Sequence, residues 1–239
     1  LRGQMPQSIG VPSEGPMRIH KFLAQAGVCS RREAERLVAS GSVMINGKLA
    51  VTGQPVDPSV DTVICQGQHI KPLNRTVVLM MNKPRGYLCT NDDSHGGQTV
   101  FDMVPPEYGS LRLFCVGRLD KDSEGLILLT NDGDLTFRAT HPSFGLEKTY
   151  IIEFEGALPK GIEKTLRNGV ELEDGMARVL DYKQLSPTWL EVTIHEGRYH
   201  IIRRLMEAIG VEVLRLIRTK FGPISLGETL EGRWRDLND

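Results

Sequence analysis

The segment that most restricts what this chain can fold into is Gly117-Arg118-Leu119-Asp120-Lys121-Asp122-Ser123-Glu124-Gly125, set between the apolar runs Leu113-Phe114-Cys115-Val116 and Leu126-Ile127-Leu128-Leu129-Thr130. Each run has the length of a buried strand and is too short for a core helix. A polar connection this short leaves no room for the helical crossover that parallel neighbours need, so a sheet with directly consecutive strands is expected. A loop fixed at both ends by buried strands presents its side chains from a rigid base. That makes Asp120 a candidate functional carboxylate. On the letters Gly-Arg-Leu-Asp alone, a turn aspartate beside a surface Arg118 is the stronger reading.

The other elements repeat the pattern. Val77-Val78-Leu79-Met80-Met81 reads as a buried strand, and Tyr150, Ile152 and Phe154 alternate on another. Strands are expected at about 176–182, 189–195 and 213–221, with a short helix over 160–168. Ile201, Ile202, Leu205, Ala208 and Ile209 mark a further helix that stops at Gly210, and Asn131-Asp132-Gly133 reads as a turn. Strands outnumber helices and follow one another, so the class is α+β with a mostly antiparallel mixed sheet.

Ahead of this region lies a smaller unit. Ile19, Phe22, Leu23 and Ala26 have helical spacing before Gly27, and Ser30-Arg31-Arg32-Glu33 is a capping box for a second helix carrying Ala34, Leu37 and Val38. Val43 and Ile45 then alternate into Asn46-Gly47, a type I′ hairpin signal, and the chain returns through Leu49 and Val51. The expected organisation is a Gly/Pro/Ser-rich flexible tail at 1–16, a helix–helix–hairpin domain at 17–75 and a larger domain at 76–239.

With 29 Lys and Arg against 30 Asp and Glu, the chain is not a uniformly basic nucleic-acid coat. Local excesses remain. Arg18, Lys21, Arg31, Arg32 and Arg36 lie on or beside the first two helices, as a solvated face or as a surface for RNA phosphates. From Arg198 to Lys220 there are six basic residues and two acidic ones at a helix start, which suits an anionic ligand or ordinary ion pairing. Cys29, Cys65, Cys89 and Cys115 are widely spaced, as free thiols in a reducing compartment would be. No stretch is apolar enough to span a membrane. Asp92, Asp93 and His95 sit in a Gly-rich polar loop, a weak metal signal, and no metal site is expected.

Residues 17–65 resemble an S4 domain, an RNA-binding module, with Arg18-Ile19-His20-Lys21-Phe22-Leu23, Cys29-Ser30-Arg31-Arg32-Glu33-Ala34 and Val43-Met44-Ile45-Asn46-Gly47-Lys48 in order. Behind it, Lys83-Pro84-Arg85-Gly86, Val116-Gly117-Arg118-Leu119-Asp120, Leu129-Thr130-Asn131-Asp132-Gly133, Lys148-Thr149-Tyr150 and Glu196-Gly197-Arg198 with Arg203-Arg204 resemble the ribosomal pseudouridine synthases. The resemblance implies Asp120 as the catalytic carboxylate, Tyr150 packed on the target base, and Arg203 as the basic partner of Asp120. It also implies Leu205 as a wall of the base pocket, with Arg118 beside it, and Lys148, Arg198 and Arg204 on RNA. Ile201 stands where that family often has Gln.

The implied partner is ribosomal RNA or an assembling ribosomal subunit, with no cofactor, for a cytoplasmic monomer. Val170-Glu171-Leu172-Glu173-Asp174-Gly175 and residues 211–218 are most similar to the large-subunit branch, and Tyr199-His200 to the small-subunit branch; 23S RNA is favoured over 16S. Two other readings are a non-catalytic S4-type assembly factor and a glycoside hydrolase using a carboxylate pair such as Asp122 and Glu124.

Overall fold

The computed structural model describes residues 15–73, 75–91 and 96–238. The expectations for the tail before Gly15 and for Asp92, Asp93 and His95 fall outside them. The chain divides into two compact units, residues 1–75 and 76–239.

In the first unit, β1 (Met17–Arg18) leads into α1 (Ile19–Gln25), followed by α2 (Arg31–Ala39). Ser30 caps α2 by accepting from the Glu33 N–H at 3.2 Å, while the Glu33 carboxylate turns to Arg36 Nη1 at 3.0 Å. The strands β2 (Val43–Ile45) and β3 (Lys48–Leu49) form a hairpin through Asn46 and Gly47, both at positive φ as a type I′ turn requires. After β4 (Pro55–Val56), which pairs with β1, the strands β5 (Val63–Cys65) and β6 (Gln68–Ile70) complete a sheet ordered β3-β2-β5-β6. Ile19, Phe22, Leu23, Ala34, Val38 and Val43 close its core.

The second unit is a nine-stranded mixed sheet. Its strands are β7 (Val78–Lys83), β8 (Phe114–Val116), β9 (Glu124–Thr130), β10 (Lys148–Glu155), β13 (Asp181–Ser186), β14 (Trp189–Ile194), β15 (Glu212–Phe221), β16 (Ile224–Ser225) and β17 (Trp234–Asp236). A separate hairpin comprises β11 (Val170–Leu172) and β12 (Gly175–Ala177). The main order is β13-β14-β10-β15-β9-β7-β17, with β16 on β15 and β8 on β9. All of these pairs are antiparallel except β9 with β15. The helices are α3 (Gly133–Thr140), α4 (Ile162–Asn168) and α5 (Ile201–Ala208). The apolar face of α5, through Ile201, Ile202, Leu205 and Met206, joins Tyr150, Ile152, Phe154, Val192 and Leu216 in the main core.

Three elements depart from the sequence reading. The Asn131-Asp132-Gly133 turn opens α3, with the Asp132 carboxylate accepting from the N–H groups of Asp134 and Leu135 at 2.8 and 3.0 Å. The strand expected at 176–182 is split between β12 and β13, because Val179 turns into the core between them. The short β17, unexpected from its sequence, pairs with β7.

The strand β9 organises the site. One edge pairs with β7 along its length, from Lys83↔Gly125 to Val78↔Thr130. Its other edge is shared: Glu124 and Gly125 pair with β15, and Leu128 to Thr130 pair with β8. Gly125 makes the parallel contact possible. At φ +98° it lies so close to β15 that an added Cβ would stand 2.3 Å from the Arg218 carbonyl oxygen. Gly125→Ala should therefore destabilise the protein by about 2–4 kcal/mol or prevent folding. Thermal unfolding checks this; an unchanged midpoint would show that the β9–β15 contact is not needed.

Candidate active site

Asp120 sits in the connection between β8 and β9, and the loop is held from below. Lys83, at the end of β7, is fully buried. Its ammonium donates to the carbonyl oxygens of Pro84 (3.1 Å), Lys121 (3.2 Å) and Ser123 (2.6 Å). Burial lowers its pKa, which the Cys89, Glu124, Asp120 and Asp122 groups nearby oppose. The Gly86 N–H also donates to Lys121 O at 2.8 Å, and Leu119 N–H to Cys89 Sγ at 3.5 Å. The loop around Asp120 is thus tied to the turn after β7 by main-chain and ammonium contacts.

The Asp120 carboxylate is about one-third exposed and faces His200 Nε2 at 3.3 Å. His200 is the N-cap of α5, at φ +50°, a left-handed conformation uncommon outside glycine. The Tyr199 ring stacks on the imidazole at 3.9 Å, with 14° between the planes, and is itself exposed. Asp120, Tyr150 and His200 line a cleft of about 640 Å³ with Arg118, Lys148, Leu216, Arg218 and Phe221. Tyr150 is buried on β10 directly opposite Arg218 on β15. Lys148 Nζ donates to Leu146 O at 2.9 Å, and its burial beside Arg218 lowers its pKa. Arg118 is exposed at the rim.

Several residues singled out from the sequence have other contacts. Arg203 donates to the carbonyl oxygens of Asp122 (3.0 Å) and Val213 (3.3 Å), so its guanidinium braces the loop, and the recorded partner of the Asp120 carboxylate is His200. The geometric reason is the first turn of α5, which carries Arg203 towards β15 and leaves His200 facing Asp120. Leu205 is buried in the core under α5, and the leucines on the cleft wall are Leu119, Leu146 and Leu216. Arg198 and Arg204 converge on Asp174: Arg198 Nη1 and Arg204 Nη1 reach its carboxylate at 2.7 and 3.0 Å. Arg198 also pairs with Glu196. These partners lie outside the span 198–220, which is why that span looks so basic by itself. Glu124, a conceivable second carboxylate, is buried in a bidentate pair with Arg215 at 3.1 and 2.7 Å. Asp122 is exposed beside Arg85 at 3.5 Å. His200, Lys83 and Arg218 were not singled out; only the placement of His200 before α5 hinted at its role.

Comparison with known proteins agrees with this architecture. An RNA pseudouridylate synthase family model matches residues 77–208, more than half of the chain, and an S4 domain model matches 17–61. The chain belongs to the RNA pseudouridylate synthase family. Among its relatives, an uncharacterized RNA pseudouridine synthase of Mycobacterium leprae is 43% identical, with 93% of this chain and 90% of that one covered. The ribosomal large subunit pseudouridine synthase B of Pasteurella multocida is 40% identical, over 92% of this chain and 67% of that one. A crystal structure of a pseudouridylate synthase aligns with TM-score 0.66 and 30% identity, covering 92% of this chain and 96% of that one.

In this synthase the basic residues of the first unit lie largely at its surface. Arg31, Arg32 and Arg36 are exposed on α2, Lys21 is half-buried, and Arg18 Nη1 donates to Gly53 O. Among the described residues no group of three or more His, Cys, Asp or Glu side chains is placed to hold a metal, and no helix is long and apolar enough to cross a membrane.

The Asp174 clamp has a pH signature. The Arg204 hydrogen bonds hold the Asp174 carboxyl down at about 2, against an ordinary 3.8, with Arg198 adding to the effect. A folded-state value below the unfolded one stabilises above the unfolded value, and the contribution fades as pH falls from about 4 through 2. Asp174→Asn should therefore lower stability at pH 7 while flattening the acid side of the stability profile. Unfolding midpoints at pH 3 and pH 7 measure this; an equal loss at both would contradict it.

Proposed function

We propose that this synthase converts a uridine of large-subunit ribosomal RNA to pseudouridine, with Asp120 as the catalytic carboxylate. The observation that carries the reading is the position of Asp120: a carboxylate about one-third exposed, on a loop immobilised by a buried ammonium, facing a cleft lined by a buried tyrosine and several cations. The similarity to large subunit pseudouridine synthase B sequences supports the choice of RNA.

The reaction breaks the N1–C1′ bond of uridine, turns the uracil, joins C5 to C1′ and releases the C5 proton. It needs an anionic group beside the ribose and base. Asp120 supplies it, as nucleophile or base. The target nucleotide must leave its helix or loop to reach a cleft of this depth. Tyr150 offers an aromatic face for the base, and stacking of this kind is worth about 1–3 kcal/mol. His200 holds the carboxylate in place, and the exposed Tyr199 beside it offers a second ring to neighbouring bases. Arg203 acts through the loop carbonyl of Asp122 rather than on the substrate. Leu205 supports α5 from the core, Arg118 and Lys148 serve RNA at the rim and wall, and Arg198 and Arg204 shape the surface through Asp174.

Arg18, Lys21, Arg31, Arg32 and Arg36 supply binding to RNA phosphates. Each phosphate contact removed should flatten the log K against log salt slope by roughly 0.7–0.9. Arg32→Ala with Arg36→Ala should weaken ribosomal RNA binding and reduce that slope without changing the single-turnover rate at saturation. An unchanged salt slope would remove α2 from the RNA surface.

The decisive test of the chemistry is Asp120→Asn, nearly isosteric but unable to act as an anion. Purified wild-type protein should form pseudouridine in large-subunit ribosomal RNA transcripts, detected by mass spectrometry of nucleosides. The variant should bind the same RNA and form none. Turnover by the variant within about tenfold of wild type would remove Asp120 from the chemistry, and release of free uracil would identify a hydrolase.

A further inference from the structure

Arg218 is only 2% exposed, yet its Nη2 atom has no hydrogen-bond partner. Its Nε atom is accounted for. The strand β9 has two different partners along one edge, and Leu126 lies between the stretches that pair with β15 and with β8. Its carbonyl oxygen accepts from Arg218 Nε at 2.8 Å, so the side chain fills the gap in the ladder. The Phe221 ring lies 5.0 Å from the guanidinium carbon. With Nε pinned, the fork cannot swing out to solvent, and it borders the cleft that holds Asp120 and Tyr150. A buried charged donor without an acceptor is costly, and native structures leave few of them.

We propose that Arg218 Nη2 donates to the C4 carbonyl oxygen of the bound uracil and so selects uracil, whose C4 carries oxygen, over cytosine, whose C4 carries an amino group. The inference rests on reading the cleft as the uridine site. A guanidinium has donors only, so its counterpart must be an acceptor. Asp120 is engaged by His200 and makes no ion pair with Arg218. A ribose phosphate would lie at the mouth of the cleft, whereas Arg218 lies inside it. Arg218 and Tyr150 are directly opposite each other on β15 and β10, a spacing of about 5 Å between side-chain origins. A base stacked on Tyr150 therefore brings its edge to Arg218.

The chemistry of the base makes this donor suitable throughout the reaction. Turning uracil by half a revolution about its N3–C6 axis exchanges N1 with C5 and, at the same time, O2 with O4. A donor that meets one carbonyl before the turn meets the other after it. Cytosine has one carbonyl and one amino group. Its amino group would leave Arg218 facing a second donor in one of the two orientations.

The experiment uses the full chain and a ribosomal RNA transcript carrying uridine or cytidine at the position that the wild-type protein modifies. Wild type should bind the uridine form about tenfold more tightly. Arg218→Gln should bring that ratio close to one and slow single-turnover pseudouridine formation about 10- to 100-fold, as loss of a charged hydrogen bond does. Arg218→Lys should show the same loss of the ratio, because its compact head can satisfy Leu126 O or the base but not both. The salt dependence of binding and the acid limb of the pH–rate profile should stay as in wild type.

A uridine-to-cytidine ratio unchanged in both variants would overturn the inference and identify a purely structural Arg218. A flatter salt slope would make Arg218 a phosphate contact. A raised acid limb would make it the group that keeps Asp120 ionised. These results leave the synthase reading standing, whereas a wild-type protein that forms no pseudouridine would overturn that reading and this inference with it.

Discussion

The site depends on one buried ammonium. Among the described residues Lys83 has no carboxylate within hydrogen-bonding distance; its donors go to three main-chain carbonyl oxygens, of Pro84, Lys121 and Ser123. A polar turn on a sheet would otherwise be among the more mobile parts of the fold. Joined to Lys83, it is fixed at both ends of the short run 121–123, immediately after Asp120. Burying the charge is expensive, and the cost falls on the end of β7, a strand flanked by β9 and the edge strand β17. A rigid sheet can bear such a residue, which is how a carboxylate on a connection acquires the positional precision that bond rearrangement needs.

Around that loop, guanidinium groups serve different ends according to their neighbours. Arg215 closes on buried Glu124, Arg198 and Arg204 close on Asp174, and Arg203 takes two carbonyl oxygens. These contacts set the shape of the second unit. Arg218 is different: buried, half-satisfied and bordering the cleft. Charge in this protein is informative through its partners, and a count of basic residues along the chain does not separate bracing groups from those with a donor left over.

The alternation of apolar residues made the strands of the large sheet legible, and the paired short runs around residues 117–125 indicated directly where the candidate carboxylate would sit. The Ser30 cap and the Asn46-Gly47 turn were readable for the same reason, since each is a local rule. What escaped the sequence is set by long-range geometry. The helix α3 hides behind a turn signature because Asp132 is both turn residue and N-cap. The strand β17 exists only because β7 has a free edge. The partner of Asp120 is His200 because of where α5 begins, and the role of Arg218 follows from a break in pairing along β9. No spacing within the chain encodes those two relations, which join residues 80 and 92 positions apart.

If Asp120 acts on uridine in large-subunit ribosomal RNA, part of the pseudouridine in that RNA depends on this protein. Mapping pseudouridines across the ribosomal RNAs of cells with and without this protein tests it most directly. Specific pseudouridine in the large-subunit RNA should disappear without the protein, the small-subunit map should stay unchanged, and supplying the protein should restore the missing modification. Identical maps with and without the protein, or a loss confined to small-subunit RNA, would contradict it.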